Sequence, residues 1–404
     1  MSNLTVQSSM SGQTVNLNFN SKEQLQLARQ LAFTISQGVA AGTLEPAASS
    51  NGTPPTLPAG GSGVFFQETK GLTFLPTGYN AVVNTAPNAS IFGSGGNRES
   101  VLSGNGGLTF VATGGSGTVA AGGGKNEIII MPNDKGSWLI GTGGRNDSIL
   151  ALGSGNDSIR PGAGHNTVLL GSGNDMLTLS GQDIIVATNG HDTVDATAAK
   201  STLLNAESAN LTFVGGAGAA TILGGTGSDT VFGGSGHLVV HGGTAGNNLL
   251  LAGAGAATLF GGGNGDQLYA EGSRAQTLIA GAGNETLSAA LSFGHVSLQG
   301  GLGQDQLIAG SGQDTLTAGM GNATMHGGFG KDTFAFIDGS AGGKDLILNF
   351  MPGDKIDLSG YGKHAVTDAL ASQTATSGGV TITLSDRTKI TFADVTSLNK
   401  TNFT

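Results

Sequence analysis

The chain has 404 residues, of which 73 are Gly, 9 Pro and none Cys, and its 17 Lys and Arg against 27 Asp and Glu leave a net charge of −10. Without cysteine there is no disulfide scaffold and no thiolate-bound zinc, and an acidic chain with no clustered Lys or Arg does not neutralise the phosphates of a nucleic acid. Only 11% of residues are charged, yet 38% are hydrophobic, a balance that fits a turn-rich folded chain with a core better than a disordered one.

The opening stretch, MSNLTVQSSMSGQTVNL, has no basic region followed by an apolar one, so no cleavable secretory leader is expected there. No run of 18 apolar residues exists to span a bilayer. An amphipathic helix is predicted next. Ser21 is the candidate N-cap with Gln24 three residues on, and Leu25, Ala28, Leu31, Ala32, Ile35 and Val39 follow at helical spacing until Gly42. Such a stripe must cover something, either a neighbouring sheet or one end of a stack. Residues 1–45 are therefore taken as a strand and helix that cap or assemble. Residues 46–63, rich in Pro, Ser and Gly, read as a linker. Strand-like runs (VFF, LTFL, YNAVV) begin at Val64.

From about Asn88 to Ile337 the sequence repeats itself. GSGNDSIRP at Gly153, GAGHNTVLL at Gly162 and GSGNDMLTL at Gly171 start nine residues apart, as do GGAGAATIL, GGTGSDTVF and GGSGHLVVH from Gly215, and AGSGQDTLT, AGMGNATMH and GGFGKDTFA from Ala309. A short fixed period is the signature of a solenoid, in which each unit buries its apolar face only by stacking on the next. Six residues of each unit read as a turn, where Gly tolerates positive φ. The last three read as a minimal strand with an inward middle residue: Ile159, Val168, Leu177, Ile222, Val231, Leu259, Leu268, Leu307, Leu316 and Phe334. Two nonapeptides then close one coil of 18 residues. Past residue 337 the repeat fades, and VTITLSDRTKITF predicts a β-hairpin around Ser385–Thr388. The fold class expected is all-β, a right-handed parallel β-roll or β-solenoid over 64–337 in a single elongated domain, with an N-terminal helical cap and a C-terminal hairpin segment over 338–404.

Residues 18 apart on stacked coils lie one strand spacing apart, about 4.8 Å. That brings Asp157 to Asp175 and Asp314 to Asp332. Carboxylates so close repel unless one is protonated or a cation joins them, and a hard divalent ion with carboxylate and main-chain oxygens fits, calcium better than magnesium. The turns that would supply the carbonyls hold Gly153, Gly155, Gly171, Gly173, Gly310, Gly312, Gly328 and Gly330. Asp147 and Asp305 are secondary candidates. Asp183 and Asp192 fall out of register. Asp229 would meet Asn247, and Asp266 would meet Asn284, giving weaker sites. The Asp position is otherwise taken by Asn166, Ala220, Leu238, Ala257, Val296 and Ala323, so the middle coils are expected to stand without metal. For any single Asp the alternative role is a turn-capping hydrogen bond.

These nonapeptides resemble the repeats-in-toxin (RTX, haemolysin-type) calcium-binding repeat, G-G-x-G-x-D-x-(apolar)-x. The resemblance covers roughly Gly141–Phe336 and extends to DTFAFIDGSAGGKDLILNFMPGDKIDLSGYG, where it adds Asp345, Asp354 and Asp357 as ligands. It implies a parallel β-roll that binds Ca²⁺ between turns and leaves the cell by type I secretion on an uncleaved C-terminal signal. His237 and His241, four apart on a strand, lack the Glu of a zinc protease, and no G-x-S-x-G elbow occurs. The function expected is a non-catalytic, extracellular, calcium-bearing solenoid of the cell surface or biofilm matrix that self-associates into a homo-oligomer or filament. The second reading is a secreted enzyme or binding module that works on an extracellular polysaccharide along a face of the solenoid.

Overall fold

Alternating residues with a branched or aliphatic side chain every second position make half-buried strands, and here the strands are three to seven residues long and joined by glycine-rich turns. The computed structural model describes residues 2–7, 14–19, 22–48 and 53–404. The protein is an all-β parallel β-solenoid, whose residues group into two compact units, Met1–Asn210 and Leu211–Thr404. No helix among the described residues is long and apolar enough to cross a membrane.

In the first unit one sheet runs from Glu45–Ala48 through Gly63–Gln67, Tyr79–Asn84, Glu99–Ser103 and Gly117–Ala121 to His191–Ala196, each strand parallel to the next. The facing sheet runs from Leu72–Phe74 to Ser201–Asn205. In the second unit the pattern resumes, with Thr230–Phe232, Leu249–Leu251 and Gln267–Gly272 in one sheet and Leu238–His241, Ala257–Phe260 and Gln276–Ile279 in the other. The ten inward residues named from sequence, from Ile159 to Phe334, are all fully buried. Register is not constant. Ser158 lies opposite Met176, eighteen on, but His165 lies opposite Gln182, seventeen on, and Thr324 opposite Leu346, twenty-two on.

The helix spans Lys22–Ala40 and ends on Gly42 at φ +69°, the left-handed stop that glycine permits; its candidate N-cap, Ser21, lies outside the described residues. Leu25, Ala28, Leu31, Ala32 and Ile35 pack on Leu4, Val6 and Leu17 of an antiparallel hairpin (Ser2–Gln7, Thr14–Phe19) and on Val64, Phe66, Ala81, Val83, Leu102 and Ala120. Those last six point outward from the first sheet. The helix therefore covers the sheet's outer face along several coils, and does not sit on the end of the stack. Gly63–Gln67, buried at every position, shows why: a strand with cover on both sides needs apolar residues on both.

Two boundaries shift. Glu45–Ala48, at the start of the stretch read as linker, is a strand paired with Gly63–Gln67. The solenoid continues beyond 337, since Lys344–Leu348 and Lys355–Asp357 are further rungs opposite Asn322–His326 and Thr333–Ala335. The expected hairpin forms from Gly379–Thr383 and Lys389–Ala393, and its second strand also pairs in parallel with Lys344–Leu348. A short helix, Ala365–Ala371, that the repeat pattern gave no reason to expect precedes it.

Candidate metal centre

The residue at the junction of turn and strand, just before the strand as at Asp157 and Asp175 or second within it as at Asp183 and Asp192, is the chemically active one, because its side chain enters the stack there. In the first unit the main-chain N–H of Trp138 donates to Asp157 Oδ1 (2.8 Å), that of Asp157 to Asp175 Oδ1 (2.7 Å), and that of Asp175 to Asp192 Oδ1 (3.0 Å). In a second column the main-chain N–H of Asn126 donates to Asp147 Oδ1 (2.8 Å) and that of Asp147 to Asn166 Oδ1 (3.1 Å), while the Asn166 side-chain Nδ2 donates to Asp183 Oδ1 (2.7 Å). In the second unit Val296, Asp314 and Asp332 donate in turn to Asp314, Asp332 and Asp354. Beside it, Asp229 donates to Asn248, Asn248 to Asp266, Glu285 to Asp305 and Ala323 to Asp345. Each rung thus ties its coil to the one before.

The pairs expected from the 18-residue spacing, Asp157 with Asp175 and Asp314 with Asp332, are brought together. Asp147 and Asp305 stand in the columns as well. Asp183 and Asp192 do too, contrary to the sequence reading, because the coil that leads to them is one residue short and the turn absorbs the loss. The partner of Asp229 is Asn248 and not Asn247, and the next coil after Asp266 presents Glu285 and not Asn284, because these coils are one residue long. Asp345 and Asp354 take rungs, whereas Asp357 lies outside the columns and accepts a bond from Ser359 Oγ at 2.8 Å. The turn-capping role holds at the same time: Asp314 Oδ2 accepts from Gly310 N (2.9 Å) and Asp305 Oδ2 from Gly301 N (2.7 Å).

The glycines are required for a reason other than the one read from sequence. Gly153, Gly155, Gly171, Gly173, Gly310 and Gly312 do not have positive φ; among the eight candidates only Gly328 and Gly330 do. What excludes a side chain is the stacking itself. A Cβ on Gly155 would lie 1.8 Å from the carbonyl oxygen of Gly136, and one on Gly173 would lie 1.9 Å from that of Gly155. Gly312 and Gly330 repeat the arrangement.

These carboxylates are almost wholly shielded from solvent. Burial pushes the carboxyls of Asp147, Asp157, Asp192, Asp332 and Asp345 up to about 7, with the neighbouring Asp175 adding to the shift at Asp157, and pushes Asp175 itself up to about 6. Asp147 Oδ2, Asp192 Oδ2, Asp345 Oδ2 and both carboxylate oxygens of Glu285 have no hydrogen-bond partner. A buried anion with an unmet oxygen wants a proton or a cation.

The carboxamide rungs show what positively polarised group the turns accommodate. Asn126 Nδ2 donates to the carbonyls of Gly122 (2.9 Å) and Gly124 (3.0 Å) and to Asp147 Oδ1 (3.0 Å). Asn248 Nδ2 donates to Gly243 O (2.7 Å) and Asp266 Oδ1 (2.9 Å). Gln276 Nε2 donates to the carbonyls of Gly253, Gly255 and Glu271 at 2.7–2.8 Å. At Asn126 and Asn248 turn carbonyls and the next coil's carboxylate converge on one point, at Gln276 three carbonyls do, and in these rungs a positively polarised nitrogen fills it. A hard cation fits the same oxygen set. Among the described residues no three carboxylate or imidazole side chains gather round one point, so main-chain carbonyls must complete the ligands of any ion held there.

A protein-family model described as the RTX calcium-binding nonapeptide repeat matches residues 142–177, 178–199, 212–237, 242–274 and 299–334. The chain carries RTX repeats. No curated protein matches it. RTX nonapeptides bind calcium, and Ca²⁺ is the cofactor of this fold. The matched RTX segments hold Asp147, Asp157, Asp175, Asp183, Asp192, Asp229, Asp266, Asp305, Asp314 and Asp332, while Gln276 and Glu285 fall between segments and Asp345 and Asp354 beyond them. Asp345 and Asp354 follow from the resemblance beyond the repeats; the column of N–H to side-chain bonds, which tolerates coils of unequal length where the motif does not, adds Glu285, and Gln276 shows itself by its bonds to turn carbonyls.

Proposed function

We propose that the protein is a non-catalytic structural solenoid of the cell exterior, made rigid by calcium and exported by type I secretion. The ions sit in turns of the two Asp-rich stretches. Asp157, Asp175, Asp314 and Asp332 supply carboxylates, with Asp147 and Asp305 as further ligands. The carbonyls come from the turns that contain Gly153, Gly155, Gly171, Gly173, Gly310, Gly312, Gly328 and Gly330. The observation that carries this reading is the convergence of turn carbonyls and a buried carboxylate on one point at Asn126 and Asn248, together with the unmet buried carboxylate oxygens of Asp147, Asp192 and Asp345 in the same kind of column. When bound, calcium supplies charge neutralisation; this chain's own residues bind it, keep water from it and fix the coil spacing.

The non-catalytic part of the reading is supported by where the acids are. The carboxylates that the repeat provides point into the stack, where no polymer chain could reach them, so the polysaccharide-enzyme reading has no observation in its favour. Self-association at a surface or in a matrix belongs to the same proposal. It must use surfaces other than the helix, whose apolar stripe is engaged with its own sheet.

The test is calorimetric titration of chelator-treated protein with Ca²⁺, paired with native mass measurement and thermal melting. Several bound ions and a rise in Tm that Mg²⁺ does not reproduce are expected. Unchanged melting and no bound ion in millimolar Ca²⁺ would remove the calcium assignment. Electron microscopy with and without Ca²⁺ tests assembly, and monomers in both conditions would remove that part alone.

A further inference from the structure

The second unit carries a basic hollow that the calcium-binding turns do not use. It measures about 410 Å³ and is lined by Asn322, Gly343, Lys344, Asp386, Arg387, Thr388 and Lys389. Three cations round one hollow are notable in a chain with only 17 Lys and Arg and a net charge of −10. Three features there are unfavourable on their own. Lys344 and Lys389 are direct partners on adjacent parallel strands, an arrangement in which like charges repel. Arg387 sits at φ +75°, where a side chain other than glycine is costly. Thr388 is 1% exposed, and its hydroxyl has no hydrogen-bond partner. The one acid in the lining, Asp386, already accepts bonds from the Tyr361 hydroxyl and from Thr388 N (2.9 Å).

We propose that this hollow binds an oxyanion group, such as a sulfate or a carboxylate carried free or on an acidic glycan. Lys344, Lys389 and Arg387 neutralise its charge, and the Thr388 hydroxyl donates to one of its oxygens. Two of the unfavourable features are relieved by the same ligand, since the anion screens the two lysines from each other and gives the hydroxyl an acceptor, and the turn that holds Arg387 at φ +75° places its guanidinium at the same hollow.

The experiment uses the full chain with calcium bound. Sodium sulfate is titrated against a chloride control of equal ionic strength, and dextran sulfate against uncharged dextran, with binding read by calorimetry and Tm. Saturable sulfate binding is expected, weakened at least tenfold in Lys344→Ala/Lys389→Ala and several-fold in Thr388→Val, and retained in Lys344→Arg/Lys389→Arg. Binding of both probes marks a site open to a polymer, and binding of sulfate alone marks a site for the free ion; either supports the proposal. A double Ala variant that binds sulfate as the parent does, or a parent that responds to sulfate no more than to chloride, overturns it. Calcium stoichiometry is measured alongside, so failure of this site is distinguishable from failure of the calcium reading.

Discussion

At the scale of single residues, a rung has two separable duties, and substitution can separate them. Asp175 Oδ1 accepts the N–H of Asp157, a bond that an amide oxygen can also accept, as Asn166 and Asn248 do in their own columns. Asp175→Asn is therefore expected to leave the chelator-treated protein within about 1 kcal/mol of the parent while it lowers the calcium count in native mass spectra. Asp175→Ala leaves a buried N–H unmet and costs about 1–3 kcal/mol in urea unfolding of the chelator-treated protein, and more in calcium, where a ligand is lost as well. The reverse substitution, Asn166→Asp, restores a carboxylate to a matched repeat and is expected to add a bound ion. Glycine duties are steric: Gly155→Ala drives a methyl into the Gly136 carbonyl and is expected to cost about 3 kcal/mol or more, an overpacking that the neighbouring coil cannot relax away. The residues themselves were legible in the sequence, because Gly and Asp recur at fixed offsets. The reason for glycine was not, since close approach between coils is a property of the stack and not of any one unit.

At the scale of elements, the strands and their inward residues follow from the nine-residue period, and so do the two pairs eighteen apart. What the period hides is the coil that gains or loses a residue in its turn. Asp183 and Asp192 look displaced by one in the sequence, yet they keep the column because the turn before them is shorter. The helix was legible from Leu25 to Ile35, but its place was not. Its position along the outer sheet face is announced only by strands apolar on both sides, such as Gly63–Gln67. Ile35, fully buried under this cover, gives the element's test: Ile35→Ala is expected to cost about 2–4 kcal/mol without changing the number of calcium ions, as unfolding by urea and native mass measurement would show. A changed calcium count would mean that the helix and the turns are not independent.

At the scale of the whole molecule, the raised carboxyls make stability depend on acidity. Asp147, Asp157, Asp192, Asp332 and Asp345 keep their protons in the folded state up to about pH 7, whereas the unfolded chain releases them near pH 4. The folded, metal-free state thus has its full share of this stability below pH 4 and loses it as the pH rises from 4 through 7. Chelator-treated protein is expected to melt several degrees lower at pH 8 than at pH 5.5. Calcium competes with those protons, so its stabilising effect should grow over the same interval; a Tm in chelator that is flat from pH 5.5 to 8 would contradict the burial-driven shifts.

The last parallel pairing in one sheet of the second unit has a consequence of its own. Lys344–Leu348 meets its covering strand, Lys389–Ala393, some forty residues downstream. A polypeptide still emerging from a ribosome, or clipped by a protease between the two, holds a finished stack whose final strand has a bare row of amides and carbonyls. That row is a template for pairing with another copy, so the fragment ending at residue 378 should form amorphous aggregates under conditions where the intact chain forms none.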